Sequence, residues 1–250
     1  MKIKTILVTQ PQPLEFEKSP FAELGRKYGV NIVFRKFINI EGIPARDFRR
    51  DRINILDFSA VIFTSRNAVD HFFRICREMR IEVPDSMKYF SISESTAYYL
   101  QKYVQYRKRK VFHSRENLDN LVDLIRKHRN EKFLLPCSDI HKMEIPSMLE
   151  ENKILYRKAI IYRTISNDLS DLVMKNYDMM VFFSPSGVKS LLKNFPKFKQ
   201  NNMVIGAFGP STAKAVKDAG FKLNISAPSE TAPSMTMAID KYLQNEAKKK

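Results

Sequence analysis

Tryptophan is absent from the 250 residues, glycine occurs only 7 times and cysteine only twice. With so few glycines, neither GxGxxG nor GxxxxGK[ST] is present, which argues against a dinucleotide or P-loop site. Cys76 and Cys137 are far apart in the chain, which excludes a disulfide scaffold and a CxxC metal site. The four histidines, His71, His113, His128 and His141, form no HxH or HExxH pair, so no metal site and no cofactor is expected. Neither paired carboxylates nor a Ser/His/Asp set can be argued from spacing. No apolar run approaches the roughly 18 residues of a membrane span. The opening MKIKTILVTQPQP turns polar after a short apolar stretch and reads as a strand, not a signal peptide. A soluble, cytoplasmic chain is expected.

What is present is hydrophobic material for a core, 44% of residues with 11% aromatic, which excludes wholesale disorder. The length suits one large domain or two small ones. The loudest feature is charge: 43 Lys and Arg against 27 Asp and Glu leave a net +16. That excess favours an anionic partner, either nucleic acid or a polyanionic small molecule.

Ten short apolar runs read as strands: TILVT, NIVFRKF, AVIFT, YFSIS, KVFHS, KFLLP, ILYRKAIIY, MMVFF, VIGAF and LNISA. Helical patterns separate most of them; in 117–127, Leu118, Leu121, Val122 and Ile125 share one face. Such alternation predicts parallel sheets with right-handed crossovers. The chain also repeats itself. VIFTSRNAVDHFF (61–73) resembles VFFSPSGVKSLL (181–192), SISESTA resembles AFGPSTA, and VFRKFI resembles LYRKAI. In chain order the pattern is A, B, A′, B′. It predicts an inserted domain, residues 56–158, within a discontinuous outer domain of residues 1–38 plus 166–250. Linker strands at 39–55 and 159–165 would pair as a two-stranded hinge, with a ligand cleft facing both domains.

In open parallel sheets, ligands bind beyond the carboxyl ends of the strands. Here those ends carry hydroxyls and helix starts: Thr64-Ser65, Ser93 with Thr96, Ser184-Pro185-Ser186-Gly187, and Gly209-Pro210-Ser211-Thr212. At any single position, capping of free helix amides is the simpler reading. Four such loops together suit a ligand with several carboxylates or phosphates. The densest basic run, Arg107–Lys110, follows Tyr98, Tyr99, Tyr103 and Tyr106. It resembles a stacking surface for nucleic acid, but tyrosines spaced four and three favour a packed helical face with a solvated basic end. The tail Lys248–Lys250 reads as a frayed terminus. His71 reads as structural, and Cys137, at the end of LLPCSD, as a small buried thiol.

VIFTSRNAV, LLPCSD, AIIYRTI, VFFSPSGV and GAFGPSTAKAVKDAGF, in this order, resemble the uroporphyrinogen-III synthase family. The resemblance spans essentially the whole chain. It implies an α/β fold of two flavodoxin-like (Rossmann-like) parallel-sheet domains joined by a two-stranded β-ladder hinge. It implies a cofactor-free enzyme that cyclises hydroxymethylbilane, with ring D inversion and loss of water, to uroporphyrinogen III. Tyr162 matches the family's hinge tyrosine and is the implied catalytic residue, while Thr64, Ser65, Thr96, Ser184, Ser186 and Thr212 match hydroxyls at the cleft. The amides of Gly187 and Ser211 would hold substrate carboxylates. Arg66 stands where proline is common and adds a carboxylate contact; SISEST lacks the glycine often found before its helix, which weakens Thr96 as a contact. A monomer is implied, with transient handover from the upstream deaminase and no membrane partner. The competing reading is a non-catalytic basic two-domain module that binds an anionic ligand or nucleic acid; with no recognised nucleic-acid motif present, it ranks lower.

Overall fold

The computed structural model describes residues 3–114, 118–140 and 143–248, so His141 and the final two lysines lie outside it. The first elements are β1 (Thr5–Val8), α1 (Pro20–Tyr28), β2 (Asn31–Phe34), β3 (Ile38–Gly42) and the short α2 (Ala45–Phe48). Next come β4 (Ala60–Phe63), α3 (Arg66–Glu78), β5 (Lys88–Ser91), α4 (Glu94–Tyr99) and β6 (Val111–His113). They are followed by α5 (Leu118–Lys127), β7 (Phe133–Ser138), α6 (Glu144–Glu151), β8 (Tyr156–Ser166) and β9 (Met179–Phe182). The rest are α7 (Pro185–Asn194), β10 (Val204–Phe208), α8 (Pro210–Asp218), β11 (Ile225–Ala227) and α9 (Met235–Lys248).

The chain divides into two compact units, residues 1–39 with 165–250, and residues 40–164. The first unit holds a five-stranded sheet in the order β11-β10-β9-β1-β2, parallel throughout. The second holds the order β3-β8-β7-β4-β5-β6, and every pair from β8 to β6 is parallel. Strand direction of winding reverses once in each sheet, between β9 and β1 and between β4 and β7. Read from β11 and from β6, the two five-strand orders coincide after a circular permutation. The A, B, A′, B′ repeat of the sequence is thus a repeat of topology.

Central strands carry unbroken apolar runs because helices cover both faces of a parallel sheet. AVIF of β4 and MMVF of β9 are buried at every position. Within β4, Val61 and Phe63 pack on one layer, and Ala60 and Ile62 on the other. The segment read as a linker before β4 contributes to the core: Phe48, Ile53 and Ile55 are buried there beside α3.

The tyrosine-rich stretch is organised differently from its spacing. Helix α4 ends at Tyr99 and a single 3-10 turn, Leu100–Lys102, follows, so Tyr103 and Tyr106 are not on a helix. Asp70 of α3 gathers Tyr99 and Tyr103 instead, accepting from Tyr103 Oη at 2.5 Å and from Tyr99 Oη at 2.8 Å, while Tyr106 stacks on Tyr98. A carboxylate that takes two phenols and the Lys102 ammonium (3.2 Å) replaces the expected helical continuation.

Phe72 of α3 is fully buried and meets Phe63 edge-on at 5.5 Å between ring centroids. Phe72→Ala should therefore cost about 3–5 kcal/mol in denaturant unfolding. Leu155→Ala, at an 87% exposed position, should stay within about 0.5 kcal/mol. Equal losses for the two would contradict this layering.

Candidate active site

Winding reverses at β4 and β7, so the loops beyond their carboxyl ends diverge and leave a crevice. A cavity of about 290 Å³ occupies that position in the second unit. Its polar wall is Thr64, Ser65, Ser138 and Tyr162, with Glu144 at one side; its apolar wall includes Ile92, Leu135, Ile145 and Pro146. A larger cavity of about 780 Å³ in the first unit is bordered by Asp178 and Met203. Those residues precede β9 and β10, so it lies at the wrong end of the strands for a switch-point site.

Tyr162 is 8% exposed, and its place depends on an irregularity in β8. Cys137 pairs with Ile160, but Ser138 pairs with Tyr162, so Ile161 is an extra residue opposite β7. Such a bulge redirects the side chains that follow it. Ile161 and Tyr162 are consequently both buried, which strict alternation in a sheet with one open face would not give. Tyr162 Oη lies 3.3 Å from Ser65 Oγ. Ser65 Oγ also accepts the Ala68 amide at 3.1 Å and has one hydrogen to donate, and either hydroxyl can be the donor between Ser65 and Tyr162. With Ser65 as donor, the phenolic hydrogen points to the cavity.

Burial raises the Tyr162 pKa above the ordinary phenol value, opposed by the Ser65 hydrogen bond and reinforced by the nearby Cys137 and Asp139. The side chain is therefore a neutral phenol at physiological pH, a proton donor rather than a base. The Cys137 thiol is pushed up to about 11 by burial and is inert as a nucleophile at neutral pH. Asp139 braces the loop beyond β7: its Oδ1 accepts from Ser138 Oγ at 2.8 Å and from Thr164 N at 3.1 Å.

The loops singled out in the sequence occupy equivalent places in the two units. Ser184 Oγ accepts the Gly187 amide at 3.2 Å, as Ser65 does the Ala68 amide. Ser93 Oγ accepts the Thr96 amide at 3.3 Å, and Gly209, at φ 89°, starts α8 in the corresponding place without a side-chain cap. The capping reading therefore holds for three of the four loops. Thr96 and Thr212 are 4% and 1% exposed, and Thr96 Oγ1 shares a hydrogen bond with Ser93 Oγ at 3.0 Å. Ser184 and Ser186 are half-buried, Gly187 is buried, and Arg66 and Ser211 are exposed. The Arg66 guanidinium lies over the Tyr99 ring, 5.5 Å from its centroid.

Of the sequence candidates, the structure brings Thr64, Ser65 and Tyr162 together around one cavity. Two neighbours had no site signal in the sequence. His71 stacks on Tyr162 with 5.0 Å between ring centroids and 19° between planes, and Arg74 Nε donates to His71 Nδ1 at 3.1 Å. Spacing of three on α3 relates these two to each other, but nothing local relates either to a tyrosine some ninety residues on. Among the described residues no group of three or more His, Cys, Asp or Glu could hold a metal ion. No described helix is long and apolar enough to cross a membrane.

Burial lowers the His71 pKa below its usual value, and the Arg74 charge adds to this. The folded chain thus prefers neutral His71, while the unfolded chain protonates it near pH 6.5. Its contribution to stability is complete above that pH and is lost as pH falls towards the folded value. His128, lowered by burial and by Lys88, acts in the same window. A His71→Phe variant should lose less Tm than wild type between pH 7 and pH 5; parallel Tm–pH curves would contradict a neutral buried imidazole.

Comparison with known proteins bears on the whole chain. The family model for uroporphyrinogen-III synthase HemD matches residues 19–237. A uroporphyrinogen-III synthase of Chlorobaculum parvum is 22% identical over 264 residues, which cover 97% of this chain and 100% of that protein. The structure of uroporphyrinogen-III synthetase from Helicobacter pylori superposes with a TM-score of 0.63 at 17% identity, covering 97% of this chain and 100% of that one. A mutant uroporphyrinogen III synthase of Thermus thermophilus gives 0.59 at 16% identity, covering 97% and 99%. At these identities the two structures speak for the α/β fold with parallel sheets.

Proposed function

The chain belongs to the uroporphyrinogen-III synthase family, and on that premise we propose that it cyclises hydroxymethylbilane to uroporphyrinogen III. The observation that carries the mechanistic reading is the buried, neutral Tyr162 phenol at a switch-point cavity, with Ser65 on its oxygen. Protonation of the substrate's hydroxymethyl group releases water and leaves an azafulvenium cation. Ring D attacks that cation to give a spiro intermediate, which fragments and recloses with ring D inverted; loss of a proton from the carbon that closes the ring restores the pyrrole and returns the proton spent on water. The pyrrole nitrogens stabilise the cation, so the chain needs only to hold the polyanion in a productive conformation and supply a proton.

Tyr162 is read as that donor. Thr64 and Ser65 border the same cavity, whose volume is near the lower end of the roughly 300–1,000 Å³ of small-molecule pockets. It accommodates part of a linear tetrapyrrole, with the apolar wall against a ring. Arg66, Ser184, Ser186 and Ser211 offer a cation, hydroxyls and a helix-start amide to the substrate's eight carboxylates, whereas the Gly187 amide is already bonded to Ser184 Oγ and meets a carboxylate only by giving up that cap. Thr96 and Thr212, being buried, are read as supports of their loops. The domain reading proposed is an outer domain of residues 1–38 plus 166–250, an inserted domain of 56–158, and linker strands at 39–55 and 159–165. The adjacency of β3 and β8 in the strand order supports the paired linkers, while Phe48, Ile53 and Ile55 join the end of the first linker to the core of the inserted domain. A cytoplasmic monomer that receives its unstable substrate from the preceding deaminase completes the proposal.

Incubation with freshly generated hydroxymethylbilane should yield the III isomer, whereas accumulation of the I isomer alone would refute the activity. Tyr162→Phe should slow isomer III formation on the order of a hundredfold, the usual worth of a positioned acid, with circular dichroism unchanged. Wild-type turnover in that variant would remove Tyr162 from the mechanism.

A further inference from the structure

Tyr162 is held by more than its one hydroxyl contact. At 3.3 Å that contact is long for an O–H···O bond and is too weak to orient a ring. Its two flanking peptide groups are pinned. The Ile161 carbonyl accepts twice, from Ile43 N at 3.0 Å and from Arg74 Nη2 at 3.0 Å. The Tyr162 carbonyl accepts from Asp139 N at 3.2 Å. The ring itself lies against the His71 imidazole.

One guanidinium stands behind most of these contacts. Arg74 Nη2 also donates to the Ile43 carbonyl at 2.9 Å, and Nη1 donates to Glu78 Oε1 at 2.5 Å. Glu78 Oε2 in turn accepts from Ala45 N at 3.1 Å. Arg74 thus ties α3 to the segment after β3 and to β8, at the peptide that precedes Tyr162. Because arginine never loses its charge in a protein, Nε always carries a hydrogen towards His71 Nδ1. The imidazole must present a lone pair there and carry its proton on Nε2, which fixes one neutral tautomer and one ring orientation. The fold makes room for this: a Cβ on Gly42 would lie 2.6 Å from the guanidinium carbon. An arginine serving only solubility needs neither a glycine beside it nor four partners.

We infer that Arg74 and His71 are positioning residues, a latch that holds the Tyr162 phenol at the angle from which it delivers its proton. The inference rests on Tyr162 being the proton donor of the proposed reaction. Neither residue touches the reacting atoms. Arg74 fixes the backbone that carries the phenol, and His71 fixes its ring.

Kinetics in two backgrounds test this. His71→Ala, Arg74→Lys and Gly42→Ala are each introduced into wild type and into Tyr162→Phe, and kcat and KM for isomer III formation are measured. Gly42→Ala displaces the guanidinium without altering any residue of the latch, so it carries the test if Arg74→Lys does not fold. In wild type each change should lower kcat on the order of ten- to a hundredfold, as misplacement of a reacting group does, with KM little changed. In Tyr162→Phe the same changes should have no further effect, since no phenolic proton remains to be positioned. Equal losses in both backgrounds would reduce the latch to general stability and overturn it, as would a rise in KM at constant kcat. If Tyr162→Phe alone left turnover unchanged, the parent reading would fall and the latch with it. If Tyr162→Phe is slow and the latch variants are not, only the latch fails.

Discussion

The pairing of β7 with β8, and the single extra residue it tolerates at Ile161, is the constraint on which the candidate site depends. A parallel pair in perfect register would keep alternate side chains on fixed faces along its whole length. The bulge breaks that rule at one place, so Ile161 and Tyr162 are both buried in successive positions. Ile161 joins the hydrophobic layer over α3, and its carbonyl receives two donors; Tyr162 faces the cavity beyond the strand ends. The Asp139 amide then closes on the Tyr162 carbonyl. The position of the phenol is a property of sheet register before it is a property of any side-chain contact.

Two copies of one five-strand topology, related by circular permutation, explain why similar loops recur and why they are not equivalent chemically. Each copy starts a helix with a hydroxyl on the third amide, Ser65 in one and Ser184 in the other. In the second unit the residue before this cap is Thr64 on the cavity wall; in the first it is Phe183, which packs against Phe208. Among the described residues, a phenol is hydrogen-bonded to the cap in the second unit alone. The frame of helix starts is thus common to both units, while Tyr162 meets Ser65 in the second.

The charge that dominates the composition is less concentrated on substrate recognition than its total suggests. Arg35 is paired with Asp171 at 2.8 Å, and Arg163 with Glu41 at 2.8 Å, so two of the cations nearest the crossings are already matched. Arg74 is occupied with carbonyls, a carboxylate and an imidazole. Exposed Arg157, Lys158 and Arg66 remain for long-range attraction of a polyanion, an effect that falls off over about 10 Å at 0.1 M salt.

Alternating apolar runs and helical periods, together with the paired motifs, were enough for the sequence alone to determine the ten principal strands, the parallel sheets and the internal repeat. These features follow from local sterics and from which residues leave water, and both are written into short windows of the chain. The same holds for the caps, since Ser65, Ser93 and Ser184 bond amides three residues away. Tyr162 could be named only through a resemblance, because no spacing singles it out. Only the tertiary structure decided that Tyr162 meets Ser65 and His71, that Arg74 reaches the Ile161 carbonyl, that Asp70 gathers Tyr99 and Tyr103, and that Thr96 and Thr212 are buried. Each of those outcomes depends on register, on a bulge, or on residues far apart in sequence being brought together. A local pattern carries no record of such distances; they are fixed when the sheet closes and the helices dock on it.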